Sequence, residues 1–441
     1  MKKRMGFALL LILALVLGTL SGCSNGKSGS NSGNSSNDSG GKTEIVFWQP
    51  DLANWQPLYN KLVKKFEESH PNIKVKMTNI PEEGYFEKLN TAFAAGKGPD
   101  LWVGWYATDE FDRGYIASID EFIEADNWDM SQYFQPITDL RLKGSDDKYY
   151  GLPRDFSNYV MLYNKDLFDK AQIPYPTDNW TFDDFRRIAK QLTDTDSKTY
   201  GTDIVTDGWG DSPLLWSLGG DMISDDGWTV KGILDSPQTV KWFELGQQIV
   251  NDGSNLPSSI AETMTGDNGP FGSGKVAISI GSMWGYNSLK DLPFKFGAVS
   301  YPQIPGVENY GWSDIVSWFM NSKSKHKQET WQFMKFMSST EIAQEVVEEM
   351  TWGPPIPSIW EDQKLVEDEV LKVFYEQGKR PTKTPTYVRS NSWQAIENSI
   401  LGIVTDTLLP LKGTPMKNPQ EVLSKAADEI QKTLDETKGR K

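Results

Sequence analysis

From Ile45 to Val103 the sequence alternates short apolar runs with amphipathic stretches, and this alternation restricts the fold more than any other feature. Ile45-Val46-Phe47-Trp48 reads as a strand, and Leu58, Leu62 and Phe66 then recur at helical spacing. Ile73, Val75 and Met77 alternate as a second strand; Phe86, Leu89 and Phe93 mark a second helix that stops at Gly96-Lys97-Gly98-Pro99; Leu101-Trp102-Val103 follows as a third strand. A β-α-β-α-β order predicts an α/β fold, with a parallel sheet covered by helices.

The same reading continues downstream. Tyr159 to Tyr163 predicts a strand, and Thr181 with Asp184 forms a capping box opening a helix through Phe182, Phe185, Ile188 and Leu192. Val276 to Ile280 predicts another strand, and Trp331, Met334 and Met337 share one helix face. Near the C-terminus Asn418 stands as a helix cap before Pro419, with Val422, Ala426 and Ile430 on one stripe. No internal repeat is visible.

The N-terminus has the form of a bacterial export signal. Lys2, Lys3 and Arg4 precede an apolar run from Gly6 to Leu20, too short to span a bilayer comfortably, since that takes about 20 apolar residues. Leu20-Ser21-Gly22-Cys23 resembles a lipobox, which implies cleavage of residues 1–22 and a diacylglyceryl and palmitoyl anchor on Cys23, the one cysteine in the chain. A single cysteine forms no intramolecular disulfide. Ser24 to Lys42 is almost wholly Ser, Gly and Asn, which cannot bury apolar area, so residues 23–42 read as a lipidated flexible linker reaching roughly 25 Å.

About 400 residues remain, enough for two domains with cores of their own. Removing Lys2, Lys3 and Arg4 with the leader takes the net charge from −15 to −18, which disfavours nucleic acid and anionic headgroups as partners. The expected contact with the membrane is the anchor alone.

Catalytic and cofactor signatures are weak. Gly269-Pro-Phe-Gly-Ser-Gly274-Lys275 matches most of a phosphate-binding loop, but Val276 stands where a hydroxyl should hold magnesium, and a strand follows where a helix should cradle phosphate. The two histidines, His70 and His326, lie far apart in charged stretches, which argues against a histidine-rich zinc site or a histidine-dependent triad, and no G-x-S-x-G elbow occurs. Asp194-Thr-Asp196-Ser begins like a calcium loop, but Lys198 and Thr199 break the pattern, so a surface turn is expected. No cofactor, metal or catalytic residue is therefore assigned. The 60 Asp and Glu leave a lipid-anchored glycoside hydrolase open as an enzymatic alternative.

Several longer motifs, in order, resemble the family 1 extracellular solute-binding proteins, the group that includes maltose-binding protein. They are Ala94 to Asp100, Tyr150 to Asp155 followed by Tyr163 to Phe168, Trp180 to Phe185, and Phe271 to Trp284 with Gly274-Lys275-Val276 inside it. The likeness runs from about Glu44 to the C-terminus. It implies a monomeric, extracytoplasmic binding protein of an ABC importer, not an enzyme, with two α/β lobes closing on ligand and an ABC permease as partner. On this pattern lobe 1 takes 43–152 and 304–345, and lobe 2 takes 153–303 and 346–441.

Ligands of such sheets sit at the carboxyl ends of the strands. Trp48 and Asp51 follow the first strand, and Trp105 and Tyr106 the strand after Asp100; Asp100 itself reads as a brace for local backbone. Arg154 and Asp155 lie at the first crossing, Trp209 in the turn from Asp207 to Gly210, and Trp284 and Tyr286 beyond the strand ending near Ile280. The resemblance implies Trp284 and Trp393 as rings that stack on sugar, with Trp312 and Trp352 as further candidates. Core packing is the alternative for each ring. The chain carries 17 Trp and 16 Tyr, an excess that suits stacking on a pyranose face, and a cationic solute held in an aromatic cage is the competing ligand class.

Overall fold

The computed structural model describes residues 41–51, 55–105, 108–205, 213–264, 269–347, 353–390, 393–409 and 414–438. The leader, Cys23 and nearly all of the linker lie outside them, as do Tyr106, Trp209, Trp352 and the Trp393 side chain.

Eight strands form the frame: β1 (Thr43–Asp51), β2 (Ile73–Pro81), β3 (Leu101–Gly104), β4 (Gly151–Asn164), β5 (Tyr200–Thr202), β6 (Val276–Ser282), β7 (Phe296–Val299) and β8 (Ser313–Met320). β1 runs parallel to β2 from Thr43↔Ile73 to Asp51↔Pro81, and parallel to β3 through Phe47↔Leu101. Helix α1 (Gln56–Ser69) buries Leu58, Leu62 and Phe66, and α2 (Tyr85–Ala94) buries Leu89 and Phe93, so the β-α-β-α-β reading is observed. Asp100 accepts the Val46 amide at 2.8 Å and the Ser324 hydroxyl at 2.6 Å, which makes it the expected backbone brace between β1 and β3.

The sheet then leaves the parallel pattern. β3 pairs antiparallel with β8, and β8 pairs antiparallel with the first half of β4, from Gly151↔Phe319 to Asn158↔Ser313. One residue on, β4 changes partners: Tyr159 to Tyr163 pair with β6, and Met161 to Asn164 with β7. A single 14-residue strand thus belongs to both sheets and forms the crossing between two lobes.

Each lobe has its own core. The first gathers Phe47, Leu62, Phe66, Trp318 and Phe333; the second gathers Phe182, Ile188, Trp242, Ile278, Leu423 and Ile430. In the C-terminal helix Pro419–Lys438 the buried line is Leu423, Ala426, Ala427, Ile430 and Leu434, with Val422 only half-buried. The segment after 346, expected wholly with the second lobe, divides: Ile356 and Ile359 pack into the first core, because Gly353 pairs with Phe156 on β4 and carries the chain back over that sheet. The capping box forms as read, Thr181 accepting from the Asp184 amide and Asp184 from the Thr181 amide. Asp194 closes a surface turn through Ser197, and Lys275 directs its ammonium at the Ser197 carbonyl, 3.3 Å away. Among the described residues no helix is long and apolar enough to cross a membrane, and no three His, Cys, Asp or Glu side chains group as metal ligands.

Candidate ligand site at the crossing of the lobes

Three aromatic rings meet where β4 changes partners. Tyr159 is the first residue of β4 to pair with β6, opposite Ser282, and Trp284 stands two residues beyond in the turn Met283–Gly285. Trp312 immediately precedes Ser313, the residue paired with Asn158. The Tyr159 ring lies 4.9 Å from Trp284, edge-on at 74°, and 4.5 Å from Trp312. Trp284 and Trp312 are 6.4 Å apart at 68°. Edge-to-face contact fixes the rings without covering their faces.

Exposure separates their roles. Trp312 is 7% exposed and supports the cluster from below, whereas Trp284 is 42% exposed. A half-uncovered indole held edge-on by two other rings is a ready stacking platform. Polar capacity lies close by: Asn158 donates to the Phe374 carbonyl at 2.7 Å, but its Oδ1 has no partner among the described residues, nor has the Ser313 hydroxyl. Buried polar atoms left unpaired by protein are the ones that ordered water or ligand hydroxyls satisfy.

Trp48 and Trp105 stand near the carboxyl ends of the neighbouring strands β1 and β3, both half-buried. Tyr85 ties these ends together, its hydroxyl donating to the Val103 carbonyl at 2.8 Å and to the Trp48 carbonyl at 3.2 Å. Burial pushes its phenol far above the ordinary range, so it acts as a neutral donor. Phe86 meets Trp105 edge-on at 4.9 Å, and Lys88 lies 5.7 Å from the Trp48 ring. The Asp51 carboxylate accepts from Gln56 at 2.7 Å, steadying the start of α1.

Other expected site residues have internal work. Between Pro153↔Ser317 and Asp155↔Val316 the register slips by one, so Arg154 is the extra residue of a bulge and can bond its own neighbour. Arg154 Nε donates to Asp155 at 2.6 Å, its guanidinium lies over Trp55, and both side chains are under a tenth exposed. Burial pushes the Asp155 carboxyl up while Arg154 pulls it down. A pair already neutralised in this way holds no spare charge for a ligand. Tyr286 is likewise only 4% exposed and donates to Asp368 at 2.8 Å, pinning one loop to another.

Tyr159 is the member that sequence reasoning missed. It was visible only as a strand residue; the signal lay in its being the first aromatic of a strand long enough to serve two sheets. Six tryptophans, among them Trp102, Trp216 and Trp318, are under 2% exposed, so much of the aromatic excess is core.

A two-lobed α/β frame with an exposed aromatic platform at the crossing defines a solute-capturing protein. Over residues 61–372 the sequence matches the bacterial extracellular solute-binding proteins, and the chain belongs to that family. A galactooligosaccharide-binding protein of Bacillus subtilis is 23% identical over 403 residues, covering 88% of each chain. An ABC substrate-binding protein from Listeria monocytogenes, solved in complex with cycloalternan, is 25% identical with a TM-score of 0.72, covering 89% of this chain and 99% of that one. The sugar-binding protein MalE of Xanthomonas citri shares the fold at a TM-score of 0.74 and 19% identity, over 90% of this chain and 98% of its own.

Proposed function

We propose that this protein captures a carbohydrate outside the cytoplasm and delivers it, by closure of its lobes, to the permease of an ABC importer. The observation that carries this is Trp284: 42% exposed, yet fixed edge-on by Tyr159 and Trp312 beside unpaired hydrogen-bonding groups at the crossing. A pyranose presents C–H faces to such a ring and hydroxyl edges to such groups. The family membership and the sugar-binding relatives support the same reading.

On this reading Trp48, Asp51, Trp105, Trp284 and Trp312 line the cleft with Tyr159, and Tyr106, Trp209, Trp352 and Trp393 join them, while Arg154, Asp155 and Tyr286 brace it. The protein works as a monomer without cofactor or catalysis, tethered through lipidated Cys23 after loss of its leader. The test is a thermal-shift and calorimetric screen of the chain against neutral mono- and oligosaccharides. A saturable rise in melting temperature with at least one sugar and no release of reducing ends is expected. Release of reducing ends would replace capture by hydrolysis.

A further inference from the structure

Two exposed apolar side chains far from the aromatic platform need an explanation: Phe111 at 37% and Leu140 at 42%. Both line a groove of about 240 Å³ in the first lobe, walled on one side by Trp105. Its floor is one face of β8, where Ile315, Ser317 and Phe319 point the same way while Trp318 points into the core behind. Tyr150 meets Phe111 edge-on at 4.7 Å and completes the aromatic wall.

At the floor of this groove is a buried hydroxyl without a partner. Ser317 is 1% exposed, and its Oγ makes no hydrogen bond among the described residues. The charges nearby are already matched: Arg141 Nε donates to Asp314 at 3.0 Å, and Lys143 lies 3.3 Å from Asp139. The groove therefore offers aromatic and apolar walls, one free hydroxyl and little uncompensated charge. At roughly 30 Å³ per water it holds about eight waters, room for one six-membered polyhydroxy ring.

We infer that this groove is an accessory subsite for one neutral sugar ring of an oligosaccharide whose other rings lie in the cleft, which it joins at Trp105. This rests on the carbohydrate reading of the cleft and sharpens it, naming an uncharged oligosaccharide in preference to a monosaccharide or a uronate. Gly104 pairs with Ser317, five residues beyond Trp312 on the same strand, so Trp105 stands roughly 15 Å from the platform along β8. A chain of several rings is needed to cover that distance.

The experiment is calorimetric titration of the full chain with maltose, maltotriose, maltotetraose and the matching β-galacto-oligosaccharides. Affinity should rise about ten-fold at the chain length that first reaches the groove. Leu140→Trp fills the groove from its exposed rim and should abolish that gain while leaving shorter chains bound as before. Ser317→Ala, a change of one buried atom, should cost the longer chain a few-fold and the shorter one nothing. An undiminished gain in both variants, or no gain with length in the unmodified protein, overturns the subsite while leaving the cleft reading intact. No binding of any of these sugars overturns both.

Discussion

Replacing Trp284 by Ala separates a ligand platform from a packed ring. With 42% of its surface uncovered, Trp284 has about 70 Å² of ring face to offer a sugar. At about 25 cal/mol per Å² that contact contributes roughly 1.7 kcal/mol, close to a twenty-fold change in affinity. The stability cost should be smaller than for a core ring, because only edge contacts to Tyr159 at 4.9 Å and Trp312 at 6.4 Å are lost, about 1 to 2 kcal/mol together. Trp318, 1% exposed in the first core, is the control, and its replacement by Ala should cost about 3 to 5 kcal/mol. Calorimetric titration gives the first number and denaturant unfolding the second. If Trp284→Ala binds sugar as before and loses as much stability as Trp318→Ala, the ring is core and the cleft must be sought elsewhere.

Thr181→Ala should lower stability by about 1 kcal/mol, as loss of a helix cap does, measured by urea unfolding at neutral pH. Asp184 in the same box is held below the usual carboxylate range by hydrogen bonds from Arg187 and Thr181. A lowered carboxyl stabilises fully above its unfolded value of about 3.9 and loses that contribution as pH falls through its native value; Asp184→Asn should therefore differ most from the unmodified protein at neutral pH and converge with it in acid. Cys23→Ala should abolish labelling with radioactive palmitate and release the protein from the membrane fraction; persistent labelling would refute the lipobox reading. Lys275→Ala should leave sugar affinity unchanged and reveal no nucleotide binding, since its ammonium meets only the Ser197 carbonyl within hydrogen-bonding range and the chain after it is strand; ATP binding lost in this variant would contradict that placement.

What was legible in the sequence was what neighbours along the chain decide. The first three strands and two helices follow from periodicity, the capping box from a spacing of three residues, and the failed phosphate loop from Val276 and the strand it begins. Trp48, Trp105 and Trp284 were found because a strand's end is visible in its apolar run. The bulge at Arg154 was not, because it exists only against β8, more than 150 residues later. Nor was the bond between Tyr286 and Asp368, 82 residues apart, which turns an expected ligand contact into a brace. Tyr159 was hidden for a related reason: periodicity identifies a strand but does not say where along it the partner changes.

That change of partner gives the arrangement its mechanical sense. Tyr159 sits at the residue where β4 stops pairing with β8 and starts pairing with β6, and Trp312 and Trp284 are the flanking rings from those two strands' connections. A rotation of the lobes about this point moves the three rings little relative to one another, because each is anchored beside the pivot. Trp48 and Trp105, at the ends of β1 and β3, lie farther from it and sweep a larger arc. A ligand shifts an equilibrium between open and closed forms only by the difference in its affinity for them. On the proposed reading, stacking on Trp284 alone is nearly the same in both forms and drives no closure. Contact reaching from Trp284 to Trp105 is what the closed form adds, so closure should respond to sugar length more steeply than binding does.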